Sequence, residues 1–385
     1  MGDSGTFDFM ARIALNGRLL VPGKLEGIGR FTLETLKRLV ALRPEDEFLL
    51  VVDRPFDDLF ALGPNVEVER ILIPARRPWL MTWWFGNPLA RRLKRWNADA
   101  FLSLEGPLAS TMPPEFPQLS VIHDLNFEHR PKDLPVKWRN FYRRFFPEYA
   151  RRAQILGTVS EYSRSDLSNT YGIDANEIRV FPNATDDAFV PMSAKARQLT
   201  RDKLTQGAPY FIYVGSFHAR KNIDGLLNAF EKYVAAGGCW DLVMVGESMW
   251  ASSMPELPES VRSRVHLTGR LENEELVEAI GSAGAMVFVP WFEGFGIPII
   301  EAMACGVPVI ASNVTSLPEV CGNAEFALVD ASNSDDITGA MLDVERDPNK
   351  AQESSDRGMI RAKEFSWDKT AEAMSAAVDQ LLIAK

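Results

Sequence analysis

The fold is decided most clearly by residues 285–301, which read AMVFVPWFEGFGIPIIE. An apolar run suited to a buried strand, Ala285–Val289, ends at Pro290 and leads into a loop with two glycines. Pro298 suits the first turn of a helix, and Gly306 followed by Pro308 suits its end. A strand, a tight loop and a helix in this order predict one unit of a parallel α/β sheet.

The same stretch carries the densest signal for chemistry. Gly294 and Gly296 let the backbone approach a ligand closely, and the free amides at the start of the following helix form an anion site. Glu293 and Glu301 lie on either side of this loop. Two carboxylates cannot neutralise a phosphate and suit sugar hydroxyls better. The alternative is an ordinary strand-turn-helix with two surface glutamates.

Apolar runs and helical patterns alternate along the rest of the chain, which predicts two doubly wound, Rossmann-like α/β domains facing a central cleft. The apolar signal drops between about Phe189 and Ala208, which we interpret as a linker. The predicted domains are 1–190 and 191–364, followed by a final helix in 365–385. The predicted strands are Arg12–Leu20, Phe48–Asp53, Val66–Ile73, Ala100–Leu104, Leu119–His123, Ile155–Val159, Arg179–Pro182, Tyr210–Val214, Asp241–Val245, Arg264–Leu267, Ala285–Val289, Val307–Ala311 and Ala324–Leu328.

Composition excludes several classes of protein. A chain of 385 residues is long enough to bury its core without disulfide or metal staples. The three cysteines, Cys239, Cys305 and Cys321, form no C-x-x-C and indicate neither a disulfide framework nor a zinc site. No run of eighteen apolar residues or leader pattern is present, so we expect a cytoplasmic protein without a membrane-spanning helix.

Charge is distributed unevenly. Residues 1–190 contain 25 basic and 25 acidic side chains, whereas residues 191–385 contain 17 and 27. Residues 74–96 contain six basic side chains, four tryptophans and no acid, and residues 135–154 interleave basic and aromatic side chains. Such segments suit an anionic membrane surface or a lipid-linked partner. For 135–154 a solvated helix face with core aromatics fits equally well, and a nucleic acid is not favoured.

Three further junctions between a strand and a helix are candidate sites. Arg220 and Lys221 stand at a helix start, where they oppose the dipole unless they pair with a bound diphosphate. Gly27-Ile28-Gly29-Arg30 forms a predicted tight loop, but it lacks the third glycine of a dinucleotide fingerprint. His123-Asp124 ends a strand, where a histidine suits proton transfer or hydrogen bonding in a cleft. The alternatives are a surface cation pair for Arg220 and Lys221, a poorly matching NAD-binding loop for residues 27–30, and a strand-end cap for His123.

Together these motifs resemble glycosyltransferase family 4. The resemblance rests on Glu293 to Glu301, on Ala302 to Ser312, on Leu317-Pro318-Glu319-Val320, on Val214-Gly215 with Arg220-Lys221-Asn222, on Val159 to Ser163, on Phe181-Pro182-Asn183 and on Phe365-Ser366-Trp367. It covers nearly the whole chain and is weakest in 60–115. It implies a GT-B fold and a retaining transfer from a nucleotide sugar without metal or other cofactor.

The resemblance also implies roles for individual residues. Those expected to act in transfer are His123, Arg220, Lys221 and Glu293. Those expected to hold the substrates are Gly27, Gly29, Arg30, Asp124, Ser160, Gly215, Ser216, Gly269, Arg270, Gly294, Phe295, Gly296, Ile297 and Glu301. Ser216 departs from the family, because many members carry an arginine directly after the glycine of Val214-Gly215.

Within the family the motifs look most like those of bacterial mannosyltransferases of envelope polysaccharide synthesis. The resemblance therefore implies a hexosyltransferase that uses GDP-mannose and acts on a lipid-linked or oligosaccharide acceptor in such synthesis, for example of lipopolysaccharide. We expect it to be attached peripherally to the inner face of the cytoplasmic membrane. Alternatives on the same fold are a UDP-hexose-dependent transferase, a nucleotide-sugar epimerase or a glucan synthase. An alternative of another class is a non-catalytic protein that binds a nucleotide sugar or a lipid headgroup.

Overall fold

The computed structural model describes residues 10–23, 25–248 and 256–383. The predicted absence of a leader concerns residues 1–9, which lie outside the described residues. The first domain contains a parallel seven-stranded sheet in the order β3-β2-β1-β4-β5-β6-β7. Its strands are β1 (Arg12–Asn16), β2 (Glu47–Val52), β3 (Val66–Arg70), β4 (Ala100–Ser103), β5 (Gln118–Val121), β6 (Ile155–Thr158) and β7 (Ile178–Val180).

The second domain contains a parallel six-stranded sheet in the order β10-β9-β8-β11-β12-β13. Its strands are β8 (Tyr210–Val214), β9 (Asp241–Val245), β10 (Val265–Gly269), β11 (Ala285–Phe288), β12 (Val309–Ser312) and β13 (Ala327–Val329). Central strands of both sheets are buried along their whole length, as apolar strands covered by helices on both faces must be. The two Rossmann-like sheets confirm the predicted fold class.

Helices connect the strands in both domains. In the first domain they are α1 (Gly27–Leu42), α2 (Pro78–Trp96), α3 (Asn126–His129), α4 (Val136–Arg152) and α5 (Glu161–Tyr171). In the second part of the chain they are α6 (Ala194–Thr205), α7 (Ile223–Ala235), α8 (Asn273–Gly281), α9 (Ile297–Ala304), α10 (Leu317–Cys321), α11 (Ser334–Arg346), α12 (Pro348–Ala362) and α13 (Trp367–Ile383). Because every strand is parallel, the loops that leave the carboxyl ends gather at one edge of each sheet.

Two local predictions are wrong. The stretch 189–208 contains α6, which Ser193 caps through a hydrogen bond from the amide of Ala196, and which buries only Thr200 and Thr205. A helix with so little apolar surface gives almost no periodic signal, and the sequence therefore resembles a linker. Residues 27–30 are the first turn of α1 rather than a loop.

The chain returns to the first domain at its end. Trp367 of α13 packs edge-on against Phe31 of α1 with ring centroids 6.0 Å apart. Arg43, the C-cap of α1, forms an ion pair with Asp379 at 2.6 Å, and Thr370 donates to the carbonyl of Pro182 at 2.6 Å. The second domain is therefore tied to the first at the end of the chain as well as near residue 190. The exact domain boundaries stay a prediction.

Candidate active site

The centre of the cleft on the second domain is a buried cluster of Arg220, Lys221 and Glu293. Arg220 and Lys221 form a short 3₁₀ turn after β8, and Glu293 follows β11, which lies beside β8 in the sheet. One carboxylate oxygen of Glu293 accepts from Arg220 at 2.8 Å and also from the Lys221 ammonium. The ammonium lies 5.1 Å from the ring centroid of Phe288. The cluster carries one positive charge more than its carboxylate neutralises.

The surroundings of this cluster perturb its ionisation. Burial lowers the pKa of Lys221 below its ordinary value, against the attraction of Glu293. Burial alone would raise the pKa of Glu293, but Arg220 and Lys221 outweigh it and lower that pKa. Glu293 is therefore ionised at neutral pH and accepts from both Arg220 and Lys221, which makes it a weak base. Buried charges of this kind cost stability and are often found at functional sites.

The loop after Glu293 presents its backbone amides to the cleft. Gly296 has φ 102° and is the N-cap of α9, and the amides of 294–297 donate to no acceptor within the described residues. Ser316 stabilises this loop, since its hydroxyl lies 3.0 Å from the carbonyl of Glu293 and 3.1 Å from that of Phe295. The Phe295 side chain packs against Phe365 in the core. Only the backbone of Phe295 therefore faces a ligand here.

Glu301 is the fifth residue of α9 and is buried, with 3% of its surface exposed. Its partner comes from the other domain, because Arg30 of α1 donates to Glu301 at 2.9 Å and to Asn273 at 2.7 Å. Burial raises the pKa of Glu301 to about 7, although Arg30 opposes this shift. The carboxylate that we expect to bind sugar hydroxyls is thus engaged by Arg30 across the cleft.

His123 and Asp124 of the first domain face the loop of residues 293–297 in the second, which we call the donor-side loop after its expected substrate. The Nε2 of His123 lies 2.8 Å from the carbonyl of Leu104, which can only accept, so Nε2 carries the hydrogen and Nδ1 is unprotonated. Burial lowers the pKa of His123 below its ordinary value, so the ring is neutral at pH 7. A Cβ on Gly294 would lie 2.4 Å from the carbonyl oxygen of His123, so the backbones of the two domains are in close approach here.

The four other predicted glycines differ in how strictly the backbone requires them. Gly215 has φ 151°, and Gly269, which ends β10 at the same edge of the sheet, has φ 71°. A Cβ on Gly29 would lie 2.9 Å from the carbonyl of Leu19, because α1 packs closely onto the preceding loop. A Cβ on Gly27 would make an ordinary contact, 3.7 Å from Ile297 of the other domain. The first three positions therefore require glycine, whereas Gly27 has room for a side chain.

The remaining predicted residues lie around the same cleft. Ser160 donates to the carbonyl of Gly294 at 2.7 Å, and Arg270 donates to the carbonyl of Leu25 at 3.0 Å. Ser216 receives a hydrogen bond at its carbonyl from the hydroxyl of Tyr213 at 3.2 Å. Ser160 and Arg270 therefore lie where the two domains meet. Ser216 lies a few residues before Arg220 and Lys221 in the sequence.

Sequence reasoning missed several residues that shape the site. Thr315 and Ser316 hold the backbone of the donor-side loop, and Asn273 shares Arg30 with Glu301. In the first domain, Glu105 after β4 accepts from Asn16 at 2.7 Å and from Arg18 at 2.8 Å. The sequence offers only weak signals for these contacts, because each joins residues from different loops. Among residues 10–23, 25–248 and 256–383, no cluster of His, Cys, Asp or Glu is arranged to hold a metal ion.

The basic aromatic segments divide into core and surface. In α4, Phe141, Phe146 and Tyr149 are buried, and in α2 Trp84 is fully buried. Arg92 and Arg95 both pair with Glu69. Trp79 and Trp83 remain exposed, at 65% and 39%. The exposed aromatic part of these segments therefore lies at the amino-terminal end of α2, away from the arginines at its other end.

Comparison with known proteins follows the same division into two domains. Residues 25–189 match the family described as Glycosyltransferase Family 4, and residues 196–360 match Glycosyl transferases group 1. The chain belongs to glycosyltransferase family 4. This family 4 protein is 27% identical over 378 residues to the O-antigen chain mannosyltransferase B of Escherichia coli, a match that covers 89% of this chain and 93% of the relative.

A second relative matches a shorter part of the chain. Over 56% of this chain and 59% of the relative, the family 4 protein is 27% identical to a GDP-mannose-dependent monoacylated alpha-(1-6)-phosphatidylinositol monomannoside mannosyltransferase of Corynebacterium glutamicum. Its fold is similar to sucrose-phosphate synthase from Thermosynechococcus elongatus, with TM-score 0.78, 20% identity and coverage of 97% and 100% of the two chains. It is also similar to Anabaena HepE in complex with UDP-glucose, with TM-score 0.74, 16% identity and coverage of 96% and 99%. None of the described helices is long and apolar enough to cross a bilayer.

Proposed function

We propose that this family 4 protein transfers a hexosyl group from a nucleotide diphosphate sugar to a hydroxyl of a carbohydrate acceptor. The observation that carries the proposal is the buried Arg220–Lys221–Glu293 cluster beside the amides of residues 294–297. A net positive charge in a buried site, next to the start of a helix, suits a diphosphate. The relatives that carry the name mannosyltransferase support the same class of reaction.

The cations would act on the leaving group. As the bond from the sugar to the diphosphate breaks, negative charge grows on the phosphate oxygen, and Arg220 and Lys221 would stabilise it. Backbone amides of 294–297 add donors that need no reorganisation. In this scheme these protein groups stabilise the leaving group without a metal ion, so we expect activity to persist in a chelator.

The carboxylates and the histidine would hold the sugars. Glu301 accepts from ribose hydroxyls, Glu293 binds the donor sugar, and neutral His123 hydrogen-bonds that sugar near the reacting carbon. Because Glu293 is neutralised by Arg220 and Lys221, it is a poor base for activating an acceptor. This supports transfer with retention of configuration, which NMR of the anomeric proton in the product would test.

GDP-mannose is the donor that we propose first. The Escherichia coli relative is named a mannosyltransferase, and the Corynebacterium relative is named GDP-mannose-dependent. A UDP-hexose is the second candidate, since the similar HepE structure contains UDP-glucose. We propose a lipid-linked or oligosaccharide acceptor in envelope polysaccharide synthesis, in line with the O-antigen relative.

The exposed end of α2 supports a membrane-associated acceptor. Arg76, Arg77 and Trp79 lie beside Val136 and Lys137 of α4 around a surface cleft of about 740 Å³. Leu72 and Ile73 are also exposed, at 76% and 44%. No acidic residue occurs in 71–96 or in 135–144. Apolar side chains surrounded by cations suit an anionic lipid surface. Binding to such a surface would bring a lipid-linked acceptor to the cleft between the two domains.

The test is transfer from radiolabelled sugar nucleotides to lipid extracts and oligosaccharides by the full chain. We expect label from GDP-mannose to enter the acceptor fraction, with and without chelator. Label from a UDP-hexose alone would replace the donor assignment. Conversion of the donor sugar without transfer would favour the epimerase, and binding without turnover of any donor would favour the non-catalytic protein.

A further inference from the structure

The first turn of α5 is joined to α10 across the cleft by one carboxylate. The amide of Glu161 donates to Oε1 of Glu319 and the amide of Tyr162 donates to Oε2, both at 2.8 Å. α5 belongs to the first domain, where it follows β6, and α10 belongs to the second, where it follows β12. The first amides of a helix lack partners within the helix, and a carboxylate at that end also interacts favourably with the dipole. Glu319 therefore supplies one domain with hydrogen-bond acceptors from the other.

The same turn of α5 holds the donor-side loop. Ser160, its N-cap, donates to the carbonyl of Gly294 at 2.7 Å. The hydroxyl of Ser163 lies 3.3 Å from that carbonyl and 3.1 Å from the carbonyl of His123. Both serines thus contact the second domain, and Ser163 also lies within hydrogen-bond distance of a carbonyl of the first.

α10 holds the other side of this arrangement. Ser316, directly before α10, contacts the carbonyls of Glu293 and Phe295, so the carbonyls on both sides of Gly294 are held from within the second domain. Arg361 of α12 donates to the carbonyl of Glu319 at 2.6 Å and to that of Val320 at 3.0 Å. Glu319 thus projects from a short helix whose backbone is itself fixed.

We propose that Glu319 is a positioning residue for the transfer reaction. It acts through α5: by binding the amides of Glu161 and Tyr162, it sets the distance between His123 of the first domain and the Glu293–Ile297 loop of the second. This proposal rests on the proposed function, because the geometry that it controls is that of the donor sugar and its neighbours on both domains.

Loss of the Glu319 carboxylate should reduce turnover much more than donor binding. Arg220, Lys221, Glu293 and Glu301 lie in the same domain as Glu319, so the nucleotide keeps these contacts when the tie to α5 is removed. His123 and the acceptor side belong to the first domain and are displaced. A displacement of about 1 Å can reduce a rate on the order of 100-fold.

The experiment compares Glu319→Ala and Glu319→Gln with the control Glu353→Ala, an exposed glutamate on α12 of the same domain. We expect Glu319→Ala to lower kcat about 10- to 100-fold. The dissociation constant for GDP, measured by calorimetry, should stay within about threefold of the unmodified protein because Arg220, Lys221 and Glu301 keep their places in the second domain. Glu319→Gln should recover part of kcat, since an amide oxygen can accept one of the two hydrogen bonds. The control should leave both quantities unchanged.

Small-angle scattering of the full chain provides a readout that needs no turnover. We expect a larger radius of gyration for Glu319→Ala than for the unmodified protein, and an intermediate value for Glu319→Gln. Unchanged kcat and unchanged scattering in Glu319→Ala would overturn the proposal, as would a loss of GDP binding parallel to kcat. If Glu319→Ala fails to fold, Glu319→Gln decides by the same criteria. If the unmodified protein transfers no sugar, the proposed function fails, while scattering still tests the tie between the domains.

Discussion

At the residue scale, the separation between Glu293 and Glu301 is the informative part of the sequence. Their spacing around a glycine loop predicts two carboxylates at one cleft, and both lie there, although Glu301 is one turn into the helix. Their partners are not equally predictable. An unfavourable position at a helix start singles out Arg220 and Lys221, whereas the pair of Arg30 with Glu301 joins residues 271 positions apart. No local pattern encodes a contact that forms only when two domains meet.

Lys221→Ala should lower kcat strongly with little change in stability. Loss of one preorganised donor to a developing charge typically costs about 100- to 1000-fold. The free energy of unfolding should change little, because Glu293 keeps its ion pair with Arg220 and a buried ammonium with a lowered pKa is removed. Steady-state kinetics measure kcat, and urea denaturation measures the free energy of unfolding. The control is Lys232→Ala, which changes a surface lysine paired with Asp335. Unchanged turnover would contradict the diphosphate role.

Glu301→Gln should alter how stability depends on pH. The pKa of Glu301 is about 7 in the folded protein and near 4.5 when unfolded, so between these values the folded state binds more protons. The unmodified protein therefore loses stability as pH rises from about 4.5 to 7, and the loss is complete above 7. Gln cannot ionise, so we expect the variant to be more stable by about 1–3 kcal/mol at pH 8 and about equal at pH 4.5.

Denaturation at several pH values measures this difference, and calorimetry should show weaker GDP binding by Glu301→Gln at pH 8. A stability difference that does not vary with pH would exclude Glu301 as the group that titrates. Glu372→Gln, an exposed residue of α13, controls for the loss of one negative charge.

At the element scale, strands are predictable and weakly amphipathic helices are not. The central strands of both sheets are short and rich in apolar residues, and each predicted strand overlaps an observed one. The pattern misses α6 because this helix buries little apolar surface. In α2 and α4 the sequence correctly indicates basic and aromatic side chains, but it does not separate Trp84, which is in the core, from Trp79, which is on the surface. That distinction depends on how each helix is rotated against the sheet.

Arg76→Gln with Arg77→Gln should weaken binding to anionic vesicles. Each basic residue near such a surface contributes about 1 kcal/mol, so removing two should weaken binding on the order of 30-fold. Co-sedimentation with phosphatidylglycerol vesicles provides the measurement. The matched control is Arg92→Gln with Arg95→Gln, because these arginines already pair with Glu69 at the far end of the same helix. Equal losses in both double variants would mean that net charge, rather than this surface, governs binding.

At the scale of the whole molecule, the two halves are joined across the cleft and by α13. Two doubly wound domains are predictable from two series of alternating strands and helices, and the resemblance to the family implies the GT-B arrangement. The contacts that join the two domains are not predictable, since Glu319 and the first turn of α5 are far apart in sequence and no local pattern indicates that they meet. Charge gives only partial guidance, because the acidic second half nevertheless contains the buried cations of the cleft.

Met374→Ala should destabilise the packing of α13. Met374 is fully buried in this helix, which contacts α1 through the Trp367–Phe31 ring pair and the Asp379–Arg43 ion pair. Truncating a buried methionine typically lowers the free energy of unfolding by about 2–5 kcal/mol. Urea denaturation measures the loss, and Glu372→Ala on the exposed face is expected to be neutral. An equal effect of the two substitutions would show that α13 contributes no packing energy.

The Arg30 guanidinium on Glu301 and Asn273 changes what a binding constant for the donor means. If ribose hydroxyls take the Glu301 oxygen that Arg30 holds at 2.9 Å, donor binding exchanges one set of hydrogen bonds for another. The measured affinity is then a net quantity, smaller than the intrinsic attraction of the pocket for its nucleotide. Arg30 thus competes with the ribose for Glu301. A donor that gives Arg30 a new acceptor, such as a phosphate oxygen, would bind more tightly than one that leaves it without a partner.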